Sequence, residues 1–430
     1  MLLAILAAGP SQAQLPALPG LPSGLPSTSR LPVDAGLPEF GALPRDIARA
    51  VDLRRLRLRD LIRGNRDVID VDDKGAPVVR GELLLVAPEP ASLARAAAAG
   101  FTILRETTVE GTGVRLVTLT LPRGLDARRA IKTLRRADPD GDYDFNHIYS
   151  PAGAVAATAM APVLAPAAVA SPRRVGLVDT GIDAGHRSFS GARVEQRGFA
   201  PGGVRAGAHG TAAASLLVGQ AGAFRGAAPG AGLMVADVYG GGPTGGSAEA
   251  IARGLGWLAA SDVPVINVSL VGPPNAILKA VVRDLSARGV LIVAAVGNDG
   301  PAAPPLYPAS YAEVIAVTGV DGRDRVLLEA GRASHLDFAA PGADMAAAGP
   351  GDGFVTVRGT SFAAPIVAGQ LAALRTGPGK ADARAAVDAL ARQARDLGAP
   401  GPDRVYGRGL VGDGLRTSPR AVGAGPMTGR

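Results

Sequence analysis

From Arg173 to about Asp413, short apolar runs alternate with longer runs of helical periodicity, and this alternation constrains the fold more than any other feature. Near-continuous apolar strands separated by helices indicate a parallel sheet that is covered on both faces. The sequence therefore predicts a doubly wound, mainly parallel α/β domain over 173–413, with its chemistry beyond the carboxyl ends of the strands. The predicted strands are Val175–Asp179, Leu233–Val238, Val263–Leu270, Val290–Val296 and Val314–Val320, and the predicted helices are Thr211–Val218, Ser247–Ala260, Asn275–Arg288, Phe362–Arg375 and Ala381–Ala391.

Residues 78–150 carry a different succession of elements. Strand and helix patterns follow one another in the order β-α-β-β-α-β, which is the split βαβ arrangement. The sequence predicts a small α+β domain of ferredoxin-like topology here. Its predicted elements are the strand Val78–Val86, the helix Ala91–Ala99, the hairpin strands Phe101–Thr108 and Val114–Leu121, the helix Ala127–Arg136 with Asp126 as its N-cap, and the strand Tyr143–Tyr149.

The segments before the small domain are low in complexity. Residues 1–13 combine an apolar stretch with small residues at Ser11 and Ala13, a pattern typical of an export signal, although a positively charged start is missing. Repeated Pro in residues 14–45 predicts an extended linker. Residues 46–66 show helical spacing of apolar residues, which predicts a solvated amphipathic helix, and the helical segment is assigned to 46–77.

Residues 151–172 connect the two predicted domains. They carry no charge and are rich in Ala, and they contain four Pro, which would break a membrane-spanning helix. We therefore expect an Ala/Pro linker and no integral membrane segment. Residues 414–430 are expected to form a tail.

Composition excludes several classes of function. The chain has 430 residues and no Cys, so disulfides, Cys-ligated zinc and a thiol nucleophile are excluded. The net charge is +7, but the cations are spread along the chain and are not interleaved with aromatic residues. This distribution favours a solvated basic surface over nucleic-acid binding.

Four polar residues lie next to predicted strand ends or helix starts. Asp179 ends the first predicted strand, and His209 stands just ahead of a predicted helix. Asn298 follows the strand Val290–Val296, and Ser361 stands where another helix is expected to begin.

These four residue types match the needs of nucleophilic acyl transfer. A serine hydroxyl needs an imidazole to take its proton, and the imidazole needs a carboxylate to fix its tautomer. Asp179, His209 and Ser361 can form that catalytic set. The Asn298 amide and the Ser361 backbone N–H can supply an oxyanion hole, and a helix starting at Ser361 directs its positive dipole end at the developing charge.

The segments around these residues resemble the signatures of the subtilisin-like serine proteases. Their order, Asp then His then Ser, is also that of the family and differs from the order in α/β-hydrolases and in chymotrypsin-type proteases. The resemblance covers about 173–413 and implies a serine endopeptidase. The matching segments are Val178-Asp179-Thr180-Gly181-Ile182-Asp183, His209-Gly210-Thr211 and Gly359-Thr360-Ser361-Phe362-Ala363-Ala364-Pro365.

The same resemblance implies a cleft in which an extended peptide adds a strand between two edges. Asn267 to Gly272 resembles one edge and one wall of the first specificity pocket, Ala294 to Gly297 the opposite wall, and Gly245 to Ser247 the second edge. The implied substrate-binding residues are Ser269, Leu270, Val271, Gly272, Ala295, Gly297, Gly245 and Gly246.

Family organisation gives the small domain a role. Residues 78–150 resemble the inhibitory propeptide of these enzymes, which implies a self-processing zymogen with a first cut near the end of that unit, for example after Tyr149. The expected partners are protein or peptide substrates and the chain's own propeptide. We expect a monomer, secreted or periplasmic.

Two positions depart from the family pattern. Ala212 stands where a second His is frequent, and Val271 stands where a small residue is frequent, which predicts a narrower pocket. No acidic calcium loop or other metal site is recognisable, so we expect no cofactor and leave a calcium requirement open.

Other candidate residues receive structural interpretations. His186 is expected to stabilise a turn, His335 to be structural, and Trp257 to lie in the core. Gly240 to Gly245 fits G-x-G-x-x-G, but Pro243 removes an N–H that a phosphate cradle would use. The remaining alternative to a protease is a catalytically silent relative that acts as a binding or scaffold module.

Overall fold

The computed structural model describes residue 56 and residues 58–152 and 173–423. The predicted signal at 1–13 and the Pro-rich linker at 14–45 lie outside these residues. So do residues 153–172 of the Ala/Pro linker and residues 424–430 of the tail.

The first part of the described chain is a small α+β domain. Its antiparallel strands lie in the order β5-β2-β4-β3, and β1 pairs with the beginning of β2. This is the strand order of the split βαβ arrangement that the sequence predicts. The elements are α1 (58–64), β1 (Ile69–Val71), β2 (Pro77–Val86), α2 (Pro90–Ala98), β3 (Thr102–Thr108), β4 (Arg115–Thr120), α3 (Ala127–Ala137), β5 (Asp142–His147) and β6 (Ser150–Pro151).

Two expectations for this domain need correction. The segment 46–77 is not helical throughout, because β1 pairs its residues 69–71 with the start of β2. The last predicted strand, Tyr143–Tyr149, ends at His147, and Tyr149 belongs to the extended stretch that continues into β6. The predicted N-cap is present, since the Asp126 carboxylate accepts a hydrogen bond from the Arg129 N–H at 2.8 Å.

The second domain contains the remaining helices and strands. In chain order they are β7 (Arg174–Asp179), β8 (Val194–Gly198), α4 (Ala208–Val218), β9 (Gln220–Ala221), β10 (Phe224–Arg225), β11 (Gly232–Asp237), α5 (Ala248–Ala260), β12 (Val265–Val268), β13 (Leu270–Val271), α6 (Ala276–Ala287), β14 (Leu291–Ala295), β15 (Ile315–Val320), β16 (Phe338–Pro341), β17 (Met345–Ala348), β18 (Phe354–Val357), α7 (Thr360–Leu374) and α8 (Lys380–Gln393). Short 3₁₀ turns occur at Arg187–Phe189, Asp413–Leu415 and Pro419–Val422.

A seven-stranded parallel sheet forms the centre of this domain, in the order β16-β15-β14-β12-β7-β11-β8. One apolar cluster packs α4 and α7 on one face, and a second packs α5 and α6 on the other. Because both faces are covered, the strands are mainly apolar on both sides, as the near-continuous runs in the sequence predict, except for the polar edge strand β8. The doubly wound α/β fold is therefore confirmed.

The boundaries of three elements differ from the predicted ones at positions that matter for the site. The predicted strand Val263–Leu270 is interrupted at Ser269, which separates β12 from β13. Helix α4 begins at Ala208 and α7 at Thr360, so His209 and Ser361 lie inside the first turns of their helices. The small residues of α4 and α7, which pack against the sheet, hide the amphipathic pattern by which helix starts are recognised.

Within the described part of the chain, no helix combines the length and apolar character needed to cross a membrane.

Candidate active site

A buried chain of hydrogen bonds joins three residues that are far apart in sequence. The His209 ring presents Nδ1 to both carboxylate oxygens of Asp179, at 2.9 and 2.8 Å. Its other nitrogen, Nε2, lies 3.1 Å from the Ser361 hydroxyl oxygen. A carboxylate can only accept hydrogen bonds, so Nδ1 carries a proton and Nε2 is left to accept the proton of the serine. This is the arrangement that activates a serine nucleophile.

Strand and helix termini hold these side chains in place. Asp179 is the last residue of β7 and is fully buried, and its carboxylate also accepts a hydrogen bond from the Thr180 N–H at 2.7 Å. The Thr180 hydroxyl accepts a hydrogen bond from the Gly210 N–H at 3.1 Å, which ties the start of α4 to the end of β7. The His209 ring packs against Phe362, the residue after Ser361, with 5.4 Å between the centroids.

The start of α7 is tied to the loop that carries Asn298. The Asn298 Oδ1 accepts a hydrogen bond from the Thr360 N–H at 3.1 Å, and the Thr360 hydroxyl accepts one from the Gly297 N–H at 3.2 Å. Because Oδ1 is engaged, the same amide has its N–H donors available for a ligand. The Ser361 carbonyl accepts a hydrogen bond from the Ser269 hydroxyl at 2.9 Å, which links α7 to the end of β12.

Asp237 is a supporting residue that lies outside the three sequence motifs. It ends β11, is fully buried, and accepts hydrogen bonds from the N–H groups of Arg205, Tyr239 and Gly240 at 2.7, 2.8 and 3.0 Å. Burial raises the pKa of this carboxyl, although these N–H groups act in the opposite direction. The sequence signal that could have identified Asp237 is a charged residue at the end of an apolar strand. Asp237 joins the segment before His209 to the loop that leads to Gly245 and Gly246.

The end of the small domain lies in a cleft between two edges of the α/β domain. On one side Ile148 bridges Ser247, and the Tyr149 N–H donates to the Gly246 carbonyl at 2.8 Å. On the other side β6 pairs antiparallel with β13, and the Ala152 N–H donates to the Ser269 carbonyl at 3.0 Å. Residues 148–152 therefore form an extra strand between the two edges that are predicted to bind substrate.

The residues predicted to bind substrate take different positions around this strand. Ser269, Leu270, Val271 and Gly246 make main-chain pairs with it, and Gly272 lies against the Tyr149 ring. Ala295 belongs to the same buried cluster as Ala152 and Val271. Gly297 lies beside Val271 and Leu306, whereas the atoms nearest to Gly245 are those of Tyr239.

The register of the strand does not fit the expected cut after Tyr149. The main chain beside Ser269, and hence next to Ser361, is that of Ala152. Tyr149 lies three residues further from the nucleophile.

Polar contacts join the small domain to two helix starts of the α/β domain. The Glu249 carboxylate, 4% exposed, receives hydrogen bonds from Arg105 at 3.0 and 2.7 Å and from the Thr118 hydroxyl at 3.1 Å. The Asn146 side chain accepts from the Glu249 N–H at 3.2 Å, and Asp144 accepts from the Ala276 N–H at 2.7 Å. Both acceptors lie at helix N-termini, where backbone N–H groups have no partner within the helix.

The remaining histidines have local partners. His186 lies 2.8 Å from the Ser188 hydroxyl and 2.9 Å from the Gly353 carbonyl, which agrees with its predicted turn role. His147 lies between Asp72 and Asn275, at 3.2 and 3.0 Å. His335 lies 2.8 Å from the Val314 carbonyl. Over residues 58–152 and 173–423, no group of three or more potential ligands could hold a metal ion.

Comparison with known proteins identifies the α/β domain. The model of the Subtilase family matches residues 173–409. Subtilisin DY of Bacillus licheniformis is 31% identical over 246 residues, which are 55% of this chain and 88% of that protein. Subtilisin Savinase of Lederbergia lenta is 38% identical over 151 residues, which are 35% of this chain and 55% of that protein.

A structural comparison supports the same fold. The crystal structure of fervidolysin from Fervidobacterium pennivorans, a keratinolytic enzyme related to subtilisin, aligns with a TM-score of 0.65 at 19% identity, covering 84% of this chain and 64% of fervidolysin. The chain spans about half the length, or less, of the first curated relatives that it matches.

Proposed function

The chain belongs to the subtilase family, and from this premise we propose that it is a serine endopeptidase made as a self-processing, secreted or periplasmic zymogen. The observation that carries the proposal is the hydrogen-bonded series from Asp179 through His209 to Ser361. Its substrates are proteins or peptides that bind in an extended conformation.

The geometry supports a two-step acyl transfer. His209 Nε2 takes the Ser361 proton as the hydroxyl oxygen attacks the peptide carbonyl, and Asp179 stabilises the imidazolium that forms. The Asn298 amide and the Ser361 N–H stabilise the oxyanion. His209 then gives its proton to the leaving amine, and an acyl-enzyme remains. His209 next takes a proton from water as the water oxygen attacks that ester. It returns this proton to the Ser361 oxygen as the C–O bond breaks and the acid is released.

The position of residues 148–152 supports the zymogen part of the proposal. They occupy the cleft as a strand bonded on both sides, so a substrate could not bind until they leave. The small domain ahead of them, predicted from the sequence as residues 78–150, acts in this proposal as an intramolecular inhibitor.

A fluorophosphonate probe tests the nucleophile directly. The processed protein is expected to be labelled and to cleave an unfolded protein substrate, whereas the Ser361→Ala variant should not be labelled and should lose almost all of the cleavage. The variant should retain only a residual rate of about 10³–10⁴ over water, a magnitude taken from subtilisin, a member of the same family. A processed protein that folds but is not labelled would favour a scaffold role instead.

The fate of the small domain tests the zymogen. Expression of the parent chain should yield two fragments, and the Ser361→Ala variant should stay uncut under the same conditions. N-terminal sequencing that found residues 50–140 retained in the active species would contradict self-processing. Fractionation of cells and medium checks the proposed export.

A further inference from the structure

The strand in the cleft shows how a bound peptide is aligned with the nucleophile. Ser150 pairs with Val271 and Pro151 with Leu270, and the Ala152 N–H bonds to the Ser269 carbonyl. The Ser269 hydroxyl donates to the main-chain carbonyl of Ser361. Counting back from the nucleophile, Ala152 is therefore the first residue of a bound peptide and Tyr149 is the fourth.

Tyr149 fits a pocket with one polar acceptor. Its side chain is only 1% exposed, and a methyl group at Gly272 would lie 2.6 Å from two of its ring carbons, so the ring lies directly on the backbone of Gly272. The phenol oxygen donates to the Pro273 carbonyl at 2.5 Å. The Tyr149 carbonyl in turn accepts a hydrogen bond from the Tyr239 hydroxyl at 3.1 Å.

The pocket next to the nucleophile is narrow. Ala152 is 3% exposed and belongs to the buried cluster that contains Val271 and Ala295. At Gly297, on the opposite wall, a methyl group would lie 2.7 Å from the Leu306 side chain and 3.5 Å from Val271. Leu306 and Val271 thus fill space that a large first residue would need.

We propose that the cleft selects peptides with tyrosine at the fourth residue before the scissile bond and a small residue directly before it. Gly272 and the Pro273 carbonyl determine the first preference, and Val271 and Leu306 determine the second. The inference rests on the proposed peptidase function and names its substrate class. It also places the self-cleavage on the carboxyl side of Ala152.

The hydroxyl is what separates tyrosine from phenylalanine in this pocket. Phenylalanine would fill the same space over Gly272 but would leave the Pro273 carbonyl without its donor. The ring also keeps water away from that carbonyl, so the transition state of a phenylalanine peptide is bound less tightly than that of a tyrosine peptide. We expect a loss of about 10-fold in kcat/KM for one neutral hydrogen bond.

Matched fluorogenic peptides measure both preferences. The parent peptide carries the chain's own Tyr-Ser-Pro-Ala-Gly-Ala between a fluorophore and a quencher. Replacing its Tyr by Phe should lower kcat/KM about 10-fold, and replacing it by Ala at least about 30-fold because the ring burial is also lost. Replacing the first Ala by Phe should lower kcat/KM at least about 10-fold.

Two glycine variants test whether Gly272 is responsible. Gly272→Ala puts a methyl group into the space of the tyrosine ring, so the Ala peptide should be cleaved faster than the Tyr peptide by this variant. Gly191→Ala is the matched control, because a methyl group there meets nothing within 4 Å, and it should keep the parent ranking. In a separate variant, Leu306→Ala should narrow the difference between Ala and Phe at the first residue.

The outcomes separate the inference from the proposed function. An enzyme that is labelled by the fluorophosphonate probe, but cleaves the Tyr and Phe peptides equally and keeps its ranking in Gly272→Ala, would overturn the inference alone. A protein that is not labelled and cleaves no peptide would overturn both. A self-cleavage product whose carboxyl end is Tyr149, found by mass spectrometry, would also refute the alignment.

Discussion

The hydrogen-bonded series of Asp179, His209 and Ser361 and the contacts of Glu249 with the small domain both centre on a buried carboxylate, but the two carboxylates draw their partners from different places. Asp179, His209 and Ser361 satisfy one another entirely within the α/β domain. Glu249, by contrast, receives its side-chain hydrogen bonds from Arg105 and Thr118 of the small domain.

In the proposed zymogen, this difference separates the α/β domain, which stays, from the small domain, which leaves. Losing the small domain exposes the Glu249 carboxylate to water, which solvates it. The apolar cluster around α4 and α7 stays nearly complete, whereas the cluster around α5 and α6 loses the small-domain side chains of Leu84, Val86, Val109, Leu116 and Tyr149. Losing one member of the catalytic series leaves a buried group without a partner. Contacts such as those of Glu249, which water can replace, are suited to a domain that is proposed to occupy the cleft temporarily. The proposed catalytic series keeps all of its contacts within the α/β domain.

The largest of these effects is expected on kcat, when the Asn298 amide beside the start of α7 is removed. Asn298→Leu removes the amide donor and the acceptor of the Thr360 N–H, and kcat should fall about 10²–10³-fold, a magnitude taken from subtilisin of the same family. KM for the Tyr peptide should change much less, because the donor acts on charge that develops in the transition state. Steady-state kinetics of the processed enzyme give both values. If instead KM rose by the same factor and kcat stayed unchanged, Asn298 would act in substrate binding and not in stabilising the transition state.

A smaller effect is expected at the interface. Arg105→Ala removes the bidentate partner of Glu249, and the inhibitory complex should dissociate about 10-fold faster, since Arg105 is itself partly exposed. The measurement is the lag before activity appears in freshly processed protein. Arg129→Ala is the control, because Arg129 lies on the same domain with its side chain 75% exposed. Equal lags in the two variants would show that the ion pair does not hold the domain.

The sequence predicts the parallel sheet of the α/β domain well, and the reason is physical. Strands buried on both faces must be apolar throughout, so five of the strands of the α/β domain can be read from the chain. The three motif segments predict the residues of the proposed catalytic series because each combines a chemically required residue with a strand end or a helix start.

Polar contacts between residues far apart in the chain cannot be predicted from the sequence. Arg105 and Glu249 are 144 positions apart, and nothing in either local pattern marks the other. Asp237 is satisfied by backbone N–H groups that only the folded loops bring together. The alignment of Ala152 with Ser269 likewise depends on strand register, which a one-residue slip would change.

The smallest effect is expected on thermal stability and comes from His335, whose hydrogen-bond partners lie in the α/β domain. A hydrogen bond to Asp337 raises the pKa of His335, and the Val314 carbonyl acts in the same direction. A raised folded pKa means that the imidazolium stabilises the fold fully below its unfolded pKa, about 6.5, and that this stabilisation is lost as pH rises through the folded value. The Ser361→Ala protein cannot digest itself and serves as the background for the measurement. Between pH 6 and 9 its melting temperature should fall by about 1–2 °C more than the melting temperature of the same protein that also carries His335→Gln. The difference should be the same with or without the small domain, because both partners of His335 lie in the α/β domain. Parallel curves for the two proteins would show that His335 does not couple protonation to folding.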